Sequence, residues 1–131
     1  MYIISKIRLF VVLIVVCLLS IQCKSQQSLK EALKDKFYIG TAMNTDQING
    51  VDTGSLRIIK EQFNAVVAEN CMKSEVIQPE EGKFNFKLAD EFVDFAEKNN
   101  LYPTGHVLIW HSQAPKWFFV DADGKDVSPE V

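Results

Sequence analysis

Cysteine is scarce in this sequence. Of three, Cys17 and Cys23 lie in an apolar N-terminal stretch, and only Cys71 falls in the part expected to fold. A disulfide framework within that part is therefore excluded, and a thiolate metal site with it. Cys71 is most simply a small buried hydrophobe. Histidine is rarer still, with only His106 and His111 present. Positive charge is thin as well. Setting aside Lys6 and Arg8 of the N-terminal stretch leaves twelve basic against seventeen acidic residues, a net charge of −5. There is no basic patch, so nucleic acid is excluded as a partner, while a neutral ligand such as a carbohydrate remains compatible. At 131 residues the chain holds one domain at most.

What is present divides the chain in two. Lys6 and Arg8 form a basic head, followed from Leu9 to Ile21 by thirteen residues of which only Cys17 and Ser20 are not plainly hydrophobic. A helical membrane span needs roughly 20 apolar residues, so the run is short for an anchor and suited to the core of an export signal. Ser20-Ile21-Gln22-Cys23 resembles a bacterial lipoprotein box, with Gln22 where a small residue is usual. Residues 1–22 are accordingly expected to be a signal peptide of the lipoprotein type. Cys23 would be the lipidated new N-terminus, residues 23–28 a polar tether, and residues 29–131 the folded part. The expected location is the cell surface or periplasm of a bacterium, with the membrane touched only through the lipid, or secretion if Cys23 is not lipidated.

Hydrophobic spacing predicts a short helix over 29–36, a strand over 37–43 broken by Gly40, and a helix over 53–63 with Leu56, Ile59 and Phe63 on one face. The run from Asn64 to Glu69 is apolar on both faces until Glu69, which marks a buried parallel strand. A polar connection with Pro79 and Gly82 leads to a helix over 87–99, whose stripe is Leu88, Phe92, Phe95 and Ala96 and whose end suits Asn99-Asn100. A third strand is expected from Tyr102 to Trp110. Strand-helix-strand-helix-strand predicts a parallel α/β unit. Gly124–Val127 reads as a turn, and Ser128-Pro129-Glu130 as a helix start with serine as N-cap. A third helix is thus announced as the sequence closes, and the residues are expected to be the front part of a larger protein.

Ligands of parallel sheets sit beyond the C-terminal ends of the strands. Strand alternation would place His106, Leu108 and Trp110 on one side and Val107, Ile109 and His111 on the other, which disfavours a site built on the two histidines. Glu69 and Asn70 lie at the second strand's tip with Lys73 beyond, and Trp110 and Gln113 lie at the third's. Singly, His106 or Trp110 would be a core residue and Glu69 a surface charge. Gathered at two neighbouring strand ends, a carboxylate, amides, an ammonium and an indole suit a polyhydroxylated neutral ligand without metal or cofactor. Trp117 and Phe118 read as structural cover for the loop.

The runs FNAVVAENCMKSEVIQPEEGKFNFKLADEFVDFAEKNN and GHVLIWHSQAPKWF carry a specific resemblance. AENxMK (Ala68 to Lys73) with GHxLxWHSQxPxW (Gly105 to Trp117) resembles the N-terminal part of glycoside hydrolase family 10, the endo-1,4-β-xylanases, over about Phe37 to Phe119. The resemblance implies a (β/α)8 TIM barrel, of which this α/β chain holds the first three βα units and is incomplete before strand four; a barrel of this kind needs ~250 residues. It implies glycone-side sugar-binding roles for Glu69, Asn70, Lys73, His106, Trp110 and Gln113, with xylan or xylo-oligosaccharides as partner. It also implies retaining hydrolysis by two glutamates, after strands four and seven, about 5–5.5 Å apart. Both are expected downstream of Val131, so no catalytic residue is expected in this chain, which is predicted inactive alone. The alternative is a non-catalytic exported lipoprotein that binds xylan or xylo-oligosaccharides.

Overall fold

The computed structural model describes residues 26–127. The expected leader, Cys23 and the helix start at Ser128 lie outside the described residues. The centre of the fold is β2 (Ala65–Ala68), four small apolar residues that let a strand be flanked on both edges. β1 (Gly40–Met43) pairs with it in parallel, Gly40 opposite Ala65 and Met43 opposite Ala68. β3 (Tyr102–Thr104) pairs with its other edge, also in parallel, with Ala65 opposite Tyr102 and Val67 opposite Thr104. The sheet order is therefore β1-β2-β3, as expected of successive βα units. Gly40 permits the close approach: a Cβ there would lie 3.2 Å from both the Cβ and the carbonyl oxygen of Ala65. Asn64 locks the entry to β2, because its side-chain oxygen accepts the Ile39 N–H at 2.7 Å.

Two helices cover one side of the sheet. α3 (Thr53–Gln62) follows β1 and buries Leu56 and Ile59. α5 (Lys87–Lys98) follows β2 and buries Ala89, Phe92 and Ala96. Leu56, Ile59, Phe92 and Ala96 meet Met43, Val66 and Ala68 of the strands, together with Cys71 and Leu101, in one core. Phe92 and Met43 are fully buried. The other side of the sheet is open: Gly40, Ala42, Tyr102 and Thr104 are exposed. At the strand starts, Tyr38 and Tyr102 stack at 5.1 Å between ring centroids.

The expected helix over 29–36 is α-helical only in α1 (Leu29–Ala32), where Ser28 and Glu31 form a capping box, and turns carry it to Lys36. Two short helices were hidden in the expected connections. α2 (Thr45–Ile48) is capped by Asn44 and Gln47 in a reciprocal box. α4 (Ser74–Ile77) interrupts the polar connection after β2. α5 ends as expected: the Asn99 side chain donates to the Phe95 carbonyl at 2.7 Å, and Asn100 takes the left-handed conformation at φ 54°.

The third strand is a correction. It ends at Thr104, not at Trp110. Beyond Thr104 the chain runs through Gly105 and a cis peptide between His106 and Val107. The physical reason lies in its neighbour: β2 ends at Ala68 and turns away through Asn70 toward α4, so no ladder partner continues beside residues 105–110. Strand alternation consequently does not order these side chains. Leu108 and Ile109, expected on opposite faces, are both exposed, at 95% and 76%. Further on, residues 116–119 form a 3-10 turn, and Val120 bridges to Asp126 around Gly124.

Replacing Phe92 by alanine should lower the unfolding free energy by about 3–5 kcal/mol, because its cavity opens among α5, β2 and Leu101; Leu108→Ala should leave the urea midpoint unchanged. At α3, Asp52 accepts the Ser55 N–H at 3.1 Å, and the hydroxyl and backbone N–H of Ser55 hold its carboxyl below the ordinary value of 3.8. Its stabilising effect is present above that ordinary value and is lost as pH falls through the lower folded one. Asp52→Asn should keep the cap yet flatten the loss of stability in acid, measured by denaturant titration across pH 2–5.

Candidate functional site at the strand ends

β2 delivers Glu69 and Asn70 to its C-terminal tip, and the Glu69 N–H is tied to the Met43 carbonyl at 2.9 Å. The chain then turns so that Lys73 becomes the residue preceding α4. Lys73 is 8% exposed, which is unusual for a lysine and requires partners for its ammonium. Nζ donates to the Asn70 side-chain oxygen at 3.0 Å and to the Gln113 side-chain oxygen. The Gln113 amide nitrogen in turn donates to the same Asn70 oxygen at 3.2 Å. Nζ also lies 4.9 Å from the centroid of the Trp110 ring. These are neutral partners, so among the described residues the cation is held without being neutralised. Of its three N–H donors, two go to amide oxygens among the described residues.

Gln113 reaches Lys73 across forty residues of sequence because its backbone is specifically placed. It is left-handed at φ 54°, and its carbonyl accepts the Glu75 N–H at 3.1 Å. Ser74 adds a second tie, its hydroxyl donating to the Leu108 carbonyl at 2.8 Å. These two bonds replace the ladder that β3 lacks beyond Thr104. They hold the segment bearing Trp110 and Gln113 against the start of α4. Sequence reading missed Ser74; a hydroxyl beside Lys73 at a helix start was the available signal. Trp117 donates its indole N–H to the Gln78 carbonyl at 3.0 Å and packs edge-on to Phe118 at 4.5 Å, as cover for the loop.

Asn70, Lys73, Trp110 and Gln113 are thus brought together. Glu69 is exposed beside them on the same strand end, and the ring of His111 meets the Trp110 ring edge-on at 5.3 Å. His106 stands apart: exposed, it lines a cavity shared with α5, and no hydrogen bond joins it to the cluster among the described residues. Trp110 is 39% exposed, so part of its indole is open to a ligand. Cys71, between Asn70 and Lys73 in sequence, is buried, and burial pushes its thiol above the ordinary value of 9.0. Among the described residues no three His, Cys, Asp or Glu side chains converge as metal ligands. The exposed Glu69 carboxylate at the same strand end disfavours a strongly anionic ligand. Amides and an indole face favour one bearing hydroxyls.

A parallel βα sheet with polar groups gathered at its strand ends defines the class: a barrel-type α/β protein with its site at the C-terminal face. A profile of Glycosyl hydrolase family 10 matches residues 28–130, and the chain belongs to that family. It is 47% identical over 108 residues to Endo-1,4-beta-xylanase A of Xylanibacter ruminicola, covering 82% of this chain and 29% of that protein. It is 44% identical over 104 residues to Endo-1,4-beta-xylanase A of Halalkalibacterium halodurans, covering 79% of this chain and 26% of that one. The solved xylanase B of Clostridium stercorarium F9 superposes with a TM-score of 0.71 at 40% identity, over 77% of this chain and 29% of its own. A solved structure in complex with xylotriose superposes with a TM-score of 0.71 at 39% identity, over 80% of this chain and 31% of its own. The chain therefore spans under a third of the length of these relatives, and the described residues are the first three βα units of the barrel.

Ser74→Ala should loosen the segment that carries Trp110. In NMR spectra the nuclear Overhauser contacts between the Trp110 ring and the Lys73 side chain should weaken severalfold, while Ser74→Thr retains them, since a net hydrogen bond is worth about 1 kcal/mol.

Proposed function

We propose that this chain supplies the glycone-side sugar-binding half of a retaining endo-1,4-β-xylanase. The observation that carries the proposal is the ammonium of Lys73, held by Asn70 and Gln113 beside the Trp110 ring at the strand ends. The family membership and the xylanase relatives support it. In this reading one sugar ring rests against the open part of the indole. Lys73 donates its remaining N–H to a hydroxyl, Asn70 and Gln113 complete the polar surround, and the Glu69 carboxylate accepts from a hydroxyl pair. His106, given a sugar-binding role by the family resemblance, lines the neighbouring cavity beside α5 and has no hydrogen bond to the amide cluster among the described residues.

Chemistry belongs to the two glutamates that the family resemblance places after strands four and seven. One protonates the leaving oxygen, and the other attacks the anomeric carbon to form a glycosyl-enzyme. The first then activates water to release the sugar with retained configuration. Residues 1–131 hold neither on this reading, so the chain alone binds and does not cleave. We further propose export through the apolar leader, with Cys23 lipidated and the protein held at the bacterial surface. The leader's basic head and apolar core support that location.

Titration of the 131-residue chain with xylotriose should quench tryptophan fluorescence, and Trp110→Ala should weaken binding about tenfold or more, since aromatic contacts of this size carry ~1 kcal/mol or more beyond area burial. No reducing sugar should be released from xylan by the chain alone, whereas a protein extended through a whole family barrel should release it. Cleavage by the 131 residues, or xylotriose affinity indifferent to Trp110, would overturn the reading.

A further inference from the structure

A cleft of 390 Å³ opens between the loop that leaves β2 and the loop that leaves β3. Pro79, Glu80 and Glu81 line it from the first loop, and Lys116, Trp117 and Val120 from the second. None of these residues belongs to the Lys73 cluster. α4 separates the two places: Lys73 precedes that helix, whereas Gln78 follows it and anchors Trp117. Each loop is stiffened by its own turn. Glu80 bridges to Lys83, and Val120 bridges to Asp126, with the Asp121 carboxylate accepting the N–H groups of Asp123 and Lys125, both at 2.9 Å.

We propose that this cleft is a second carbohydrate-binding site, which takes a neutral sugar unit at the end of α4 remote from Lys73. The immobilised indole supplies the first argument. Trp117 is half-buried, its N–H is satisfied by the Gln78 carbonyl, and Phe118 meets its ring edge-on. The part of it that lines the cleft is thus an apolar aromatic surface already fixed in place, so a sugar ring stacks on it at little further cost in side-chain ordering. Charge supplies the second. The Lys83 ammonium pairs with the Glu80 carboxylate, which leaves Glu81 and Lys116, both exposed, as one acceptor and one donor of opposite sign. That balance selects neither an anion nor a basic peptide and suits hydroxyl groups. Size agrees, since small-ligand clefts run from about 300 to 1,000 Å³. The last argument is the polymeric nature of the ligand. Both loops leave the C-terminal ends of their strands, as the Lys73 cluster does, and a chain of like sugar units engages two such sites with a gain in avidity.

The inference rests on the xylan reading only for the class of sugar, and the two are told apart in one experiment. Trp110 and Trp117 are the only tryptophans of the sequence, so the full chain gives two indole N–H signals in NMR spectra, assigned by replacing each in turn. On titration with xylotriose the Trp117 signal should move to saturation, and it should do so equally in Trp110→Ala. Glu81→Ala and Lys116→Ala should each raise the xylotriose concentration at half-movement of the Trp117 signal by roughly fivefold, the effect of one net hydrogen bond, and leave the Trp110 signal's midpoint unchanged. Both side chains are exposed, so an unaltered Trp110 response also shows that each variant is folded. A Trp110 signal that stays still while the Trp117 signal moves would overturn the groove reading and support the second site. A stationary Trp117 signal, movement that vanishes in Trp110→Ala, or indifference to both Glu81→Ala and Lys116→Ala would each overturn the second site.

Discussion

An ammonium almost withdrawn from water sets the terms for this end of the molecule. Lys73 at 8% exposure cannot stand alone, because a buried charge without hydrogen-bond partners is far too costly to keep. The two amide oxygens that answer it come from Asn70, three residues back, and Gln113, forty residues on. Meeting the second demand determines much else. Gln113 must be left-handed, its carbonyl must find the Glu75 N–H, and Trp110 is drawn over the cation. Had a carboxylate been the partner, the charge would be neutralised and its donors used up. Amides leave a cation with spare hydrogen-bonding capacity, which is what a hydroxyl-bearing ligand can use.

The sheet beneath explains why such a cluster can form within so few residues. β2 is made of alanine and valine alone, so both its neighbours approach closely, and Gly40 removes the one side chain that would push β1 away. The helix-covered side carries the core, with Phe92 fully buried against it. The opposite side remains open at Gly40, Ala42 and Thr104. One face finished and one face open is the state of a barrel wall. The finished face is sufficient to fix the strand ends, and the strand ends fix the polar cluster.

Much of this was legible in the sequence. The spacing of Leu56 and Ile59, and of Phe92 and Ala96, located the two long helices of the described residues to within a residue or so, because amphipathic periodicity over ten residues is a strong signal. Asn70, Lys73, Trp110 and Gln113 were recognisable as a group. The end of the third strand was not: the apolar run Val107-Leu108-Ile109 has strand composition, yet its exposure shows that composition was a poor guide without a partner. Pairing is a property of the neighbour, and β2 had already turned away. The same omission misplaced His106, whose assignment to the side of Trp110 rested on an alternation that the backbone does not maintain. The helix at Thr45–Ile48, by contrast, was encoded in plain form by Asn44 and Gln47, a capping box short enough to escape a search for periodicity.

Why a binding cluster and a catalytic pair should separate along a barrel follows from how each is built. Holding a sugar takes several weak donors and acceptors around one ring, and two adjacent strand ends with their loops can present them. On the proposed reading Asn70, Lys73, Trp110 and Gln113 do so within forty-four positions of sequence, and they are already in contact with one another. Retaining hydrolysis asks for something a single neighbourhood cannot give. Two carboxyl groups must face each other across the scissile bond at about 5–5.5 Å, and on the proposed reading they follow strands four and seven of the barrel. Binding on one wall is therefore local in sequence, and chemistry is global in the fold. On the proposed reading the first is complete in three βα units, while the second waits for the open face to be closed over.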